Sequence, residues 1–95
     1  MSMSLIHLKN IGNTSALWLK TVGIESIDDL KTIGACEAYI RVGEYGIKTS
    51  KVFLYALQGA LLNIHWNKLE PDLKKQLCAE VDTLLKNRNE PTRTV

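Results

Sequence analysis

Apolar residues recur along most of this chain at three- and four-residue intervals. That spacing marks α-helices with one buried stripe, and runs of alternating β-branched residues that would mark strands are few. The clearest stripe is Phe53, Leu54, Leu57, Leu61 and Ile64. Tyr55, Ala56 and Ala60 widen it, so residues 51–65 are predicted to form the central helix, capped by Ser50. Gly59 falls in its middle, where glycine costs about 1 kcal/mol against alanine. A close helix crossing is the expected reason for it. Leu73, Leu77, Val81, Leu84 and Leu85 predict a last helix that opens at Glu70-Pro71, with proline at the first helical position. Glu70–Lys74 and Asp82–Lys86 offer i,i+4 pairs on its outer face. From Asn87 the chain turns polar and is expected to fray.

The upstream elements are shorter and set off by glycines. Thr14 is the expected N-cap of a helix over 15–22, ended by Gly23. Ser26, with Asp29 three residues later, reads as a capping box for a helix Ile27–Ile33 that Gly34 closes. A third helix is predicted over Ala35–Glu44, where Glu37 and Arg41 are i,i+4 partners. Gly43 and Gly46 then loosen the chain into a loop. No internal repeat and no low-complexity tract is visible. The expected fold is all-α: a small irregular bundle of four to five short helices, with residues 1–7 as a weakly patterned N-terminal arm, a helical domain over 8–86, and a polar tail over 87–95.

Composition narrows the function classes. A length of 95 residues fits one domain. Twelve Lys and Arg against ten Asp and Glu give a net charge of +2, too balanced for a bulk polyanion binder, so nucleic-acid binding needs a local patch. No apolar run is long enough to span a membrane, and no signal peptide is visible, which makes the cytoplasm the expected location. Cys36 and Cys78 each sit among apolar neighbours and are expected to be core thiols in a reducing compartment.

Catalytic and metal-binding patterns are missing. His7 and His65 share no ligand spacing with each other or with a cysteine, so no metal and no cofactor is expected. His65 is expected to end the central helix, its ring N–H on a free carbonyl. Asp28 and Asp29 are adjacent and suit a positive helix N-terminus better than paired acid–base work. Trp18 and Trp66 read as core anchors. With no nucleophile beside a base, the protein is not expected to be an enzyme.

One segment does carry chemistry. In Leu8-Lys9-Asn10-Ile11-Gly12-Asn13-Thr14-Ser15, a tight turn with glycine feeds a helix whose first amides have no intrahelical partner. Those amides and the aligned peptide dipoles attract an anion. Gly12 removes a side chain that would hold a phosphate away, and Thr14 and Ser15 add hydroxyls. Lys9 precedes the turn, and Lys20, Lys48 and Lys51 are further candidate phosphate contacts, with the amides of Gly12, Asn13 and Thr14 at the centre. Such a clamp would bind the DNA backbone weakly, with strong salt dependence and no base readout; the alternative on the residues alone, and the one they favour, is a plain helix start, solvated or capped internally.

Residues 8–30 resemble half of a helix-hairpin-helix motif, a SAM-like start: Gly12, Ala16, Leu19, Gly23, Ile24, Ser26, Asp29 and Leu30 match. Asn10 stands where the pattern has its first glycine, and Lys9 where it has proline. Asparagine is a partial substitute where positive φ is needed. About seven residues precede the turn, which leaves little room for a leading helix.

A longer resemblance covers residues 5–86. Leu8-Lys9-Asn10-Ile11-Gly12, Ala16-Leu17-Trp18-Leu19, Val22-Gly23-Ile24-Glu25-Ser26, Tyr55-Ala56-Leu57-Gln58-Gly59-Ala60-Leu61 and Ile64-His65-Trp66-Asn67-Lys68-Leu69 are similar, in order and spacing, to the C-terminal domain of the TfoX/Sxy family of bacterial competence regulators. The resemblance implies an all-helical regulatory domain without catalytic residues. It implies a role in switching on DNA-uptake genes, together with a cAMP-receptor-type transcription factor. It also implies that longer relatives carry a further N-terminal domain. The alternative reading is a protein-interaction module, docking on another regulator, on such an N-terminal domain or on itself as a homodimer, with Trp66 and Leu69 as contacts.

Overall fold

The computed structural model describes residues 8–89. The predicted arm over 1–7, and the end of the tail from residue 90, lie outside the described residues. Among the described residues five α-helices follow one another: α1 Asn13–Thr21, α2 Ile27–Ile33, α3 Ala35–Glu44, α4 Lys51–Leu62 and α5 Pro71–Asn89. A single 3-10 turn, Trp66–Lys68, links α4 to α5. The all-α bundle expected from the periodicity is the one formed.

Helices α3 and α4 make the centre. Helix α3 packs against α1, α2, α4 and α5, and α4 also touches α2, α5 and the 3-10 turn. The reason is composition: α4 presents Phe53, Leu54, Ala56, Leu57, Gly59 and Ala60 as buried residues, and α3 buries Ala35, Cys36, Ala38, Ile40 and Val42. Small residues on α3 let several neighbours come close. The other elements contribute one or two anchors each, among them Leu19 from α1, Ile24 from the following loop, Leu30 from α2 and Val81 from α5, all nearly solvent-free. Burying one such side chain is worth about 1.5–3 kcal/mol.

The Ser26 half of the capping box forms: its hydroxyl accepts from the Asp29 amide at 3.2 Å, while Asp29 Oδ2 reaches one residue further back and accepts from the Glu25 amide at 2.9 Å. The Glu37–Arg41 pair forms too, at 3.1 Å. Several expectations are corrected. Helix α1 starts at Asn13, with Gly12 rather than Thr14 as N-cap. Ser50 is the N-cap of α4, yet its side chain makes no capping bond. Helix α4 stops at Leu62, because Asn63 takes the left-handed conformation (φ 59°) and ends the hydrogen-bond ladder. His65 therefore lies beyond the helix. Its Nδ1 lies 2.8 Å from Asn67 Oδ1 and caps the 3-10 turn, instead of bonding a helix carbonyl. Helix α5 continues to Asn89, past the point where fraying was expected. Lys74 does not pair with Glu70; its ammonium lies over the Tyr55 and Trp66 rings, 5.3 and 5.7 Å from their centres.

Candidate nucleic-acid interface

The Gly12 turn is built by two anchors. Ile11 is buried, and its amide donates to the Leu8 carbonyl at 3.2 Å, which closes the turn. Asn10 adopts a left-handed backbone, φ 72°, the conformation that the resembled motif supplies with glycine. Its side chain then does what glycine could not. Nδ2 donates to the Ile64 carbonyl at 2.8 Å and, more weakly, to the Ala56 carbonyl at 3.4 Å, while Oδ1 accepts from the Trp66 amide at 3.1 Å. The turn is pinned to the far end of α4.

The close approach at Gly59 is explained by this pin and not by a helix crossing. A Cβ on Gly59 would lie 2.6 Å from Asn10 Nδ2 and 2.8 Å from the Ile64 carbonyl oxygen.

Beyond the pin, Gly12 is exposed in an ordinary extended conformation (φ −98°), and a Cβ there would meet nothing within 4 Å. Its carbonyl accepts the first helical bond, from Ala16, at 2.9 Å. The amides of Asn13, Thr14 and Ser15 therefore precede the intrahelical ladder. Among the described residues no side chain caps them, and the first turn holds no acidic residue. Asn13 and Thr14 are exposed and Ser15 is half-buried.

The lysines divide into two groups. Lys9 is exposed at the turn, and Lys48 is exposed before α4. Lys20 lies in the last turn of α1, roughly 10 Å along the axis from its start, where it complements the helix C-terminus. Lys51 is turned toward α5, its Nζ 3.6 Å from Cys78 Sγ. The structure thus does not bring Lys20 or the Lys51 ammonium to the turn. It does bring Ser15 and Trp18 of α1 together with Thr49, Ser50 and Phe53 around a cleft of about 260 Å³ that Asn10 and Trp66 also line. Thr49 and Asn10 are the members that sequence reasoning missed. The one available signal was asparagine at a motif position reserved for positive φ.

Trp18 and Trp66 are half-buried, not fully enclosed. Trp18 meets Phe53 edge-on at 5.3 Å, and Trp66 stacks on His65. Leu69 is buried with 4% exposure, so it packs in the core and cannot serve as a docking contact.

The cysteines also differ from each other. Cys36 is a core thiol as expected, and burial, with Glu80 and Cys78 nearby, pushes it up to about 11. Cys78 is half-buried, with Tyr55 Oη at 3.4 Å. That bond, then burial, raises the Tyr55 phenol above its ordinary value.

A pinned turn that feeds a short helix, set in a bundle without a strand among its described residues, defines a small all-α domain. The chain belongs to the TfoX C-terminal domain family, whose model matches residues 1–81. It is similar to two crystal structures from Listeria monocytogenes. One, of an uncharacterized protein in a triclinic form, is 32% identical, covers 87% of this chain and 94% of that one, and superposes with a TM-score of 0.79. The other, of a protein of unknown function in a tetragonal form, is 34% identical, with coverages of 84% and 99% and a TM-score of 0.77. Among curated proteins none matches. No helix of the described residues is long and apolar enough to cross a membrane.

Proposed function

We propose that this domain is a non-enzymatic regulatory module in the transcriptional activation of DNA-uptake genes, and that it touches the DNA backbone through the turn at Gly12. Membership of a competence-related family supports the first half. One observation carries the second. Gly12 has an unstrained φ and open space where its side chain would be, so neither strain nor crowding requires glycine there, and an N-cap would accept serine, asparagine or aspartate as well. An incoming phosphate does make that demand, because a side chain would hold it off the amides of Asn13 and Thr14. Lys9, and the absence of acid in the first turn, favour the same ligand.

The experiment is a salt titration of a labelled duplex by fluorescence anisotropy. Binding at low salt that weakens steeply with salt is expected. Gly12→Glu combined with Lys9→Glu removes it. No binding at low salt, or affinity unmoved by the double variant, rejects the backbone contact.

A specific feature favours protein docking as the second reading. Tyr39, Ile40, Ile47 and Leu85 line a largely apolar cleft of about 490 Å³ between the end of α3 and α5. Another regulator, such as a cAMP-receptor-type factor, or a second copy of the chain is the candidate occupant. Sedimentation, alone and with that factor, tests it: a monomer that never co-sediments argues against it.

A further inference from the structure

Two nucleophilic side chains meet where α4 packs on α5. Lys51, in the first turn of α4, donates from Nζ to Cys78 Sγ on α5 at 3.6 Å, across 27 positions of chain. Tyr55, one helical turn on from Lys51, brings its Oη to the same sulfur at 3.4 Å. One thiol therefore touches an amine and a phenol, both presented by one helix. Cys78 is half-buried and Lys51 is exposed, so a small solute reaches the pair from solvent.

The surroundings single this pair out. Lys74, one turn before Cys78 on α5, holds its ammonium over the Tyr55 and Trp66 rings instead. Cys36 is buried, and its Sγ is directed at the Leu77 carbonyl, 3.7 Å away. Burial, with Glu80 and Cys78 nearby, pushes the Cys36 thiol up to about 11, which leaves it little thiolate with which to attack an oxidant. Reactive cysteines occupy cationic, partly open settings. Cys78 has such a setting and Cys36 does not.

We infer that Lys51 and Cys78 are a redox-bridging pair: a hydroperoxide oxidises Cys78, and the Lys51 nitrogen then closes an S–N bond that ties the start of α4 to α5. With hydrogen peroxide, the sulfur attacks one oxygen, the O–O bond breaks, and a sulfenic acid and water result. The Lys51 amine, having given its extra proton to solvent, then attacks the sulfur. The S–O bond breaks, the S–N bond forms, and the hydroxyl leaves as water with a proton from the nitrogen. Sulfenic acids condense with a neighbouring backbone nitrogen in the same way. The sulfur loses two electrons and the peroxide gains them, so thiol, amine and one peroxide become a sulfenamide and two waters. The bridge removes one positive charge from the first turn of α4, and a thiol reductant reverses it.

Mass spectrometry of the full chain, exposed to hydrogen peroxide and then quenched, tests this. The intact mass is expected to fall by two hydrogens. Trypsin is expected to stop cutting after Lys51, and the peptides carrying Lys51 and Cys78 to stay joined until a thiol reductant separates them. Cys36→Ala should keep the bridge. Lys51→Arg, which keeps the charge without a nucleophilic amine, should abolish it. Thermal melts matching the parent's show that the variants fold, and the peptide map of the parent reads the bond without any variant. Oxidation that stops at an oxygen acid on Cys78, with Lys51 still cleaved, overturns the bridge. So does a loss of two hydrogens that survives in Lys51→Arg and vanishes in Cys36→Ala, because that product is a disulfide. A Cys78 that peroxide leaves unchanged overturns it as well.

Discussion

The side-chain amide of Asn10 fills the space that a side chain on Gly59 would need, so the two residues, 49 positions apart, specify each other. Asn10 bonds across the end of α4 to the Ile64 carbonyl and the Trp66 amide, and Gly59 leaves room for it. This pin sets where the Gly12 turn stands relative to the cleft and to Trp66.

Asn10→Ala is expected to lower stability by about 2–3 kcal/mol, since it strands a partly buried amide and carbonyl and places alanine at positive φ. Asn10→Gly keeps the backbone relaxed and loses only the bonds, so its cost should be smaller by about 1 kcal/mol. Chemical denaturation of both separates the two contributions. Equal costs would show that the backbone conformation contributes nothing.

Gly59→Ala reverses a familiar rule. In an unconstrained mid-helix site the change stabilises by up to about 1 kcal/mol. Here the new Cβ meets Asn10 Nδ2 and the Ile64 carbonyl, so a loss of about 1–3 kcal/mol is expected. The Asn10→Ala/Gly59→Ala double variant should lose less than the sum, because one of the two clashes is gone. Strict additivity in denaturant would disprove the coupling.

Gly12→Ala separates fold from function. The site is exposed and unstrained, so the melting temperature should stay within a few degrees of the parent, equivalent to about 1 kcal/mol or less. Duplex affinity at low salt should fall. A variant that binds as well as the parent would show that glycine is not there for a phosphate.

Cys36 predicts an alkaline limit to stability. Its thiol is held up to about 11 in the folded chain, against an ordinary value of 9.0. Below pH 9 both states keep the proton and the group does not affect the balance. Between pH 9 and 11 the unfolded chain releases it first, so stability falls with rising pH, by about 1.4 kcal/mol per unit from this group. Cys36→Ala should flatten that part of the stability profile. A slope identical to the parent's would refute it.

The same contrast predicts thiol chemistry. Cys78, half-buried beside Tyr55, should be alkylated in the native protein while Cys36 is protected until the chain unfolds. Mass spectrometry after iodoacetamide treatment checks this. Native labelling of Cys36 at a comparable rate would contradict its burial.

The sequence by itself determined what depends on nearest neighbours. Apolar spacing marked the helical segments, Ser26 marked the N-cap that bonds the Asp29 amide, and Gly34 marked the boundary between α2 and α3. The Gly12 turn was legible for the same reason, since unpaired amides at a helix start follow from local hydrogen bonding alone. Only the tertiary structure decided which distant groups meet. Asn10 looked like an imperfect glycine until α4 brought the Ile64 carbonyl and Trp66 amide within its reach. Lys20 and Lys51 looked like companions of the turn until helix geometry carried one to the far end of α1 and the other toward Cys78.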